Sequence, residues 1–281
     1  MKLRFRLFVL PLILAGSSAF AQSLDLQLKL NTGTYIIGEP ISASLTLNNG
    51  TTSDFSSRPP LGDDILMLEI TDAQRELLSP TTKTSNLQQV TVLSGDTWSD
   101  TAVLDQCFPL RKPGRYFVTL AALQENQRFT SLRRVFDVVP GLEIKSALQL
   151  FSGGEVNSRR FSLVYLARDQ REFLFLRIQD TPDYRSWETL RLGSLLRTSD
   201  PRLDIAPDGT VTILHRATQD VYLKSIIKSR PETIEFVTQE QLIDPASSAQ
   251  QHLEPFQVMA LERQKAANNK KSWWRFGGSK K

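Results

Sequence analysis

Cysteine and histidine are almost absent: one cysteine, Cys107, and two histidines, His215 and His252, stand in 281 residues. A lone cysteine has no partner within the chain, so no internal disulfide framework is available and the fold must rest on a hydrophobic core. Two histidines, with neither paired cysteines nor His-Glu-x-x-His spacing, leave any zinc site dependent on carboxylates. The acids that do cluster lie in turn-like stretches: Asp63-Asp64, Asp180 and Asp183 around Pro182, and Asp200, Asp204 and Asp208. None follows the calcium-loop pattern, and acids in such stretches read as solvated turn-formers. No Gly-x-Ser-x-Gly elbow is present, and the Gly-Gly pairs at Gly153-Gly154 and Gly277-Gly278 lack the lysine of a phosphate loop. The expectation is a chain without metal, cofactor or catalytic residue, a non-enzyme.

The two ends are rich where the middle is poor. Lys2, Arg4 and Arg6 precede the apolar run Leu7 to Leu14, and Ala19-Phe20-Ala21 has the small-x-small form of a cleavage site. Residues 1–21 read as a secretory leader, with Gln22 the first mature residue and a periplasmic or extracellular destination. No other apolar run reaches the roughly 20 residues that span a bilayer. A secreted chain without disulfides fits a bacterial envelope best. Residues 262–281 hold seven bases and one acid, whereas residues 22–261 hold 24 bases and 29 acids, a net charge of −5. The alkaline isoelectric point therefore belongs to the ends, and an acidic body argues against a nucleic-acid partner.

Residues 22–140 alternate with a period of two. In Ile41 to Asn48 the residues Ile41, Ala43, Leu45 and Leu47 share one face, and Leu24, Leu26, Leu28 and Leu30 do the same. Such alternation marks antiparallel strands with one face buried. Further strands are expected over 65–70, 89–93, 98–104, 115–123 and 129–138, separated by turn clusters such as Asn48-Asn49-Gly50 and Lys112-Pro113-Gly114. Asn49-Gly50-Thr51 matches a glycosylation pattern and reads more simply as a turn. The stretches YIIGEPISASLTLNNGT and PLRKPGRYFVTL resemble the opening strands and the late turn of bacterial secreted immunoglobulin-like domains. These include macroglobulin-type and bacillar proteinase-inhibitor-type modules. The resemblance implies a β-sandwich, with Tyr116 as the aromatic that opens the late strand.

Residues 141–245 echo themselves. Residues 142–160 read as a bridge, after which FSLVYLARDQREFLFLRI can be laid beside VTILHRATQDVYLKSII, with Phe161 over Val211, Leu163 over Ile213 and Phe173 over Tyr222. Arg168-Asp169-Gln170 and Thr218-Gln219-Asp220 supply the two turns, and further strands follow at 188–196 and 232–242. A period near 50 with three or four strands per unit resembles propeller blades. Two blades cannot close a ring, so a compact antiparallel meander against the sandwich is expected, with an oligomer-completed propeller or a chance echo as alternatives.

The remaining candidates are few. Cys107 reads as a small buried apolar residue, and His215 as a partly exposed strand histidine without metal or base character. Tyr184 and Trp187 share a loop and could stack on a sugar ring or cap the sheet. Residues 246–281 read as a short helix after Pro255 followed by a basic aromatic tail, where Lys270, Lys271, Trp273, Trp274, Arg275, Phe276, Lys280 and Lys281 interleave. Paired tryptophans among bases suit docking to an anionic membrane surface, an acidic polymer or an envelope protein. The expected function is thus a secreted, non-enzymatic envelope binding or structural protein. A proteinase inhibitor built on the sandwich and a carbohydrate-binding protein are the rival readings.

Overall fold

The computed structural model describes residues 23–57, 63–81, 87, 89–152, 156–181 and 189–244. The chain is all-β: eighteen strands and one helical turn make up the regular structure among the described residues.

The first module is built by the alternation seen in its sequence. Strand β1 (Leu24–Leu30) pairs antiparallel with β3 (Ser42–Asn49), so that Leu26 lies opposite Leu47 and Leu28 opposite Leu45. β3 in turn pairs with β7 (Thr97–Val103). The facing sheet runs β2 (Thr34–Ile36), β10 (Arg134–Val139), β8 (Gly114–Gln124), β5 (Ile65–Thr71), with β9 (Gln127–Thr130) also on β8. β4 (Phe55–Ser56) and β6 (Thr91–Val92) form a small separate pair. Leucines of β1 and β3 meet Leu66, Leu68, Ile70, Val118, Leu120 and Phe136 in a single core. β2 runs parallel to β10 while every other pairing in the sheet is antiparallel. The chain thus passes from the first sheet, in β1, to the facing sheet, in β2. Tyr116 stacks on Phe136 at 5.6 Å and its hydroxyl donates to the Lys112 carbonyl at 2.9 Å. That backward bond fastens the start of β8 to the turn that precedes it.

Several expected boundaries move. The strand expected over 129–138 is two strands, β9 and β10, divided at residues 131–133. The one expected over 89–93 shrinks to β6, and β7 ends in the helical turn α1 (Leu104–Cys107). Asn49 is 1% exposed and holds Ser53, Val92 and Thr51 together through its amide, so it is a structural turn residue closed to modification.

The second module corrects one reading. Residues 142–150, expected as a bridge, form strand β11 (Leu142–Leu150) on a sheet that continues β12 (Ser158–Arg168), β13 (Arg171–Thr181) and β14 (Leu190–Ser194). A second sheet repeats the plan with β15 (Arg202–Ile205), β16 (Thr210–Arg216), β17 (Val221–Ser229) and β18 (Ile234–Ile243). Each is an up-and-down, four-stranded antiparallel meander, the larger of the two expected counts of three or four strands per unit. Asp169 and Gln170 both have positive φ, 51° and 59°, which closes the β12–β13 hairpin with a primed two-residue turn. The meanders bury a shared core, with Phe161, Leu163, Leu176 and Ile178 from one sheet and Leu203, Val211, Ile213 and Ile227 from the other.

A third, smaller core joins the modules. Ile36 at the end of β2 packs against Val164, Phe173 and Phe175 on the outer face of the first meander. Burying each such side chain stabilises the contact by about 1.5–3 kcal/mol relative to exposure. Gly141 is the pivot: its φ is +69°, and a Cβ there would stand 2.5 Å from Val164 Cγ1 and 2.6 Å from Ile36 Cδ1. Only glycine meets both the backbone angle and the space.

Candidate functional site

Three arrangements of polar side chains organise the second module, and two of them are structural. The Arg159 side chain is fully buried; its guanidinium makes two bonds to Asp180 (Nε–Oδ1 2.6 Å, Nη2–Oδ2 3.2 Å). It also donates to the Ser229 hydroxyl and to the carbonyls of Arg230 and Pro231 at 2.7–2.9 Å. The planar fork suits this, because five donors can satisfy a carboxylate and a turn at once. Asp180, expected as a solvated loop acid, is buried at the end of β13 for this reason. Arg159 thereby ties the first meander to the β17–β18 turn of the second.

The second arrangement locks the modules. Arg168, at the β12–β13 turn, donates to Glu39 at 2.7 and 2.9 Å and to the Thr34 carbonyl at 2.9 Å. Glu39 also accepts from the Ile36 backbone amide at 3.1 Å. The Arg168 guanidinium lies 5.3 Å from the Phe173 ring centroid, and Arg191 lies 4.0 Å from that ring. Burial, then the nearby Arg168, lowers the pKa of Arg191 from its ordinary value. Thr189 adds a bond from its hydroxyl to the Ile37 carbonyl at 2.8 Å.

The third arrangement is open. A cleft of about 660 Å³ lies between β11 and the β14–β15 connection, lined by Ile144, Lys145, Leu195, Arg197, Asp200 and Pro201 among others. Arg197 sits 4.7 Å from the centroid of Tyr165 and 3.4 Å from Glu172. The Tyr165 hydroxyl donates to Glu172 at 2.8 Å, and this bond to a carboxylate raises the phenol's pKa. Lys145 reaches the Pro201 carbonyl at 3.4 Å. Beside the cleft, β11 is an edge strand: it pairs with β12 alone. A β-bulge at Glu143/Lys145 turns it, and Leu142, Leu148 and Leu150 are 58%, 57% and 75% exposed. β15 lies close to part of this edge; where β11 has no ladder partner, its exposed leucines and the adjoining cleft, with two cations and an apolar wall, can receive an extended chain segment by strand addition.

His215 departs from its expected place. It is 2% exposed, between the meanders, and neither ring nitrogen has a hydrogen-bond partner. Burial lowers its pKa to about 4, an effect the nearby Ser194 backbone offsets only in part. Inward-facing alternation of Val211, Ile213 and His215 on β16 is the sequence signal that points to this position. Cys107 is half-buried against the sandwich core, and burial raises its thiol pKa. Among the described residues no three His, Cys, Asp or Glu side chains come together to hold a metal ion. Tyr184, Trp187, Asp183 and His252 lie outside the described residues, as do Lys270, Lys271, Trp273, Trp274, Arg275, Phe276, Lys280 and Lys281. Arg159, Arg168 with Glu39, and the β11 edge were not singled out in the sequence.

No protein-family model matches the chain, and no curated protein matches it in sequence. Among solved structures, it is similar at TM-score 0.27 and 13% identity to Pseudomonas fluorescens alkylpurine DNA glycosylase AlkC bound to DNA containing an abasic site analog, over 41% of this chain and 30% of that one. It is similar at TM-score 0.25 and 9% identity to Spo0M, a sporulation control protein from Bacillus subtilis, over 85% of this chain and 98% of that one. Likeness of this degree carries no argument about either fold or activity.

Proposed function

We propose that the chain is a non-enzymatic binding protein of the bacterial envelope, whose second module captures an extended, largely apolar segment of a protein partner along β11. The observation that carries this reading is the nine-residue edge strand with Leu142, Leu148 and Leu150 exposed beside the Ile144–Lys145–Arg197 cleft. Contiguous exposed apolar side chains on an edge are a liability unless something covers them. Main-chain bonds would supply affinity and the cleft would select one side chain, with Lys145 and Arg197 favouring an acid near it. The use of polar chemistry elsewhere supports a binding role. Arg159–Asp180 and Glu39–Arg168 are spent on joining sheets and modules, and His215 is enclosed away from any substrate. Secretion rests on the leader pattern of residues 1–21, and the basic aromatic tail is read as a second docking element.

The test is a pull-down from envelope extract with three forms: the intact protein, a Leu148→Lys/Leu150→Lys variant, and a chain ending at Leu261. Retention of one partner by the first and third forms but not the second is expected. Equal retention of that partner by the Leu148→Lys/Leu150→Lys variant, with its circular dichroism unchanged, would overturn the β11 assignment.

A further inference from the structure

The second meander ends in a strand whose sequence suits it to meet its own copy. β18 is ten residues long, and among the described residues it forms a ladder with β17 alone. Ile234, Phe236 and Ile243 lie opposite Ser229, Ile227 and Val221, which share the core-facing side of β17; Ser229 and Ile227 are buried. Glu235, Thr238, Glu240 and Leu242 take the outer side, and the ladder passes over Val237 at a bulge. Ile234 packs against the shared core, whereas Phe236 and Ile243 on the same side are 45% and 63% exposed. The first meander reaches this strand through Gln239, whose side-chain amide donates to the Leu192 carbonyl at 2.7 Å. The core side of β18 thus carries apolar surface that the described residues leave bare. The usual guards of an edge are also weak, since β18 holds neither proline nor lysine. Its acids are compensated inside the sheet: Glu235 and Glu240 lie across from Lys228 and Lys224, and Asp244 bonds Arg216 at 3.2 Å. Charge therefore does not turn away a second strand of the same kind.

We propose that β18 pairs antiparallel with β18 of a second copy, about a two-fold axis at Gln239, and so joins two four-stranded meanders into one eight-stranded sheet. The strand is self-complementary about that residue. Thr238 of each copy falls opposite Glu240 of the other. Phe236 and Val237 together face Gln241, because a bulge lets two residues oppose one. Glu235 then faces Leu242, and Ile234 faces Ile243. No acid meets an acid, and every facing pair lies on one side of the sheet. Phe236 is the diagonal neighbour of Ile243, a distance that an aromatic side chain spans. Ile234, Phe236 and Ile243 of both copies close one apolar cluster, which carries the shared core across the junction. A patch that serves both partners alike makes a closed dimer, the commonest assembly of soluble chains, and edge pairing adds main-chain hydrogen bonds to it. The contact uses a different edge from β11 and stands whether or not β11 receives a segment.

The experiment follows the intact protein by sedimentation over about 1–100 µM, with hydrogen exchange read at both ends of that range. A Phe236→Lys/Ile243→Lys variant is measured beside it. Gln239→Cys and Glu235→Cys, each in a Cys107→Ser background, are oxidised separately. Expected are a monomer–dimer equilibrium and β18 amides that exchange about tenfold more slowly at the higher concentration. Both should be lost in the double-lysine variant with its circular dichroism unchanged, and a disulfide-linked dimer should form from Gln239→Cys but not from Glu235→Cys. A monomer at every concentration would overturn the pairing, and so would a dimer that persists in the double-lysine variant. β18 amides protected equally at both concentrations would overturn it too, because the edge would then be covered within one chain. A crosslink from Glu235→Cys in place of Gln239→Cys would overturn the two-fold axis at Gln239.

Discussion

The buried His215 makes stability depend on pH in a defined window. Its folded pKa is about 4 against an ordinary 6.5, because both ring nitrogens are shut between the meanders without a partner. A base with a depressed folded pKa binds its proton more tightly in the unfolded chain. Stability is therefore greatest above the unfolded value, declines as pH falls through it, and stops declining on this account below the folded value. With one pKa unit equal to about 1.36 kcal/mol, the loss is about 2 kcal/mol at pH 5 and about 3 kcal/mol at pH 4. His215→Leu keeps the volume near that of the ring and removes the proton site, so the loss assigned to this residue should vanish. Urea unfolding of both proteins at pH 7.5, 6, 5 and 4.2 measures it as a difference between two curves, which cancels the titration of every other group. The variant should gain on the native protein by about 2 kcal/mol between pH 7.5 and 5. A difference that stays flat across that range would refute the reasoning, whatever its absolute value.

Two further outcomes test the buried ion pairs. Arg159→Leu removes the cation that makes the bidentate contact with buried Asp180 and leaves the carbonyls of Arg230 and Pro231 without this donor; a loss of about 3–5 kcal/mol in unfolding free energy is expected, smaller when combined with Asp180→Leu. Glu39→Gln and Arg168→Met should each increase protease cleavage near Gly141 and raise exchange in β2, and their combination should cost less than their sum in a double-mutant cycle; strict additivity would show that the pair does not couple the modules.

Much of the fold was legible in period-two runs. Alternation in Leu24 to Leu30 and Ile41 to Asn48 is enough to assign a sandwich, since a strand with one apolar face has to bury it. The repeat was legible at Phe161 and Val211 for the same reason. β11 was misjudged because the alternation of Leu142-Glu143-Ile144-Lys145 breaks at Ser146-Ala147-Leu148, and the bulge at Glu143/Lys145 is not visible in the sequence. β2 was missed because three residues are too few to show a period. The candidate site was hardly legible at all. Arg159 stands in Ser158-Arg159-Arg160, where nothing local tells the inward arginine from its exposed neighbour, and its partners lie 21 and 70 residues away. Glu39 and Arg168 are separated by 129 residues.

Composition and local pattern by themselves determined that this protein is all-β, that it rests on its cores, that its two ends differ chemically from its body, and where most strands run. These properties come from side chains within a few positions of each other, and sequence order preserves such neighbours. Only the tertiary structure decided which polar residues are buried and with whom, that His215 is enclosed, that Gly141 is pinned between Ile36 and Val164, and that β11 and β18 are edges. An edge is the absence of a neighbour, and burial is a property of what packs from elsewhere in the chain, so neither is written in any single stretch of residues.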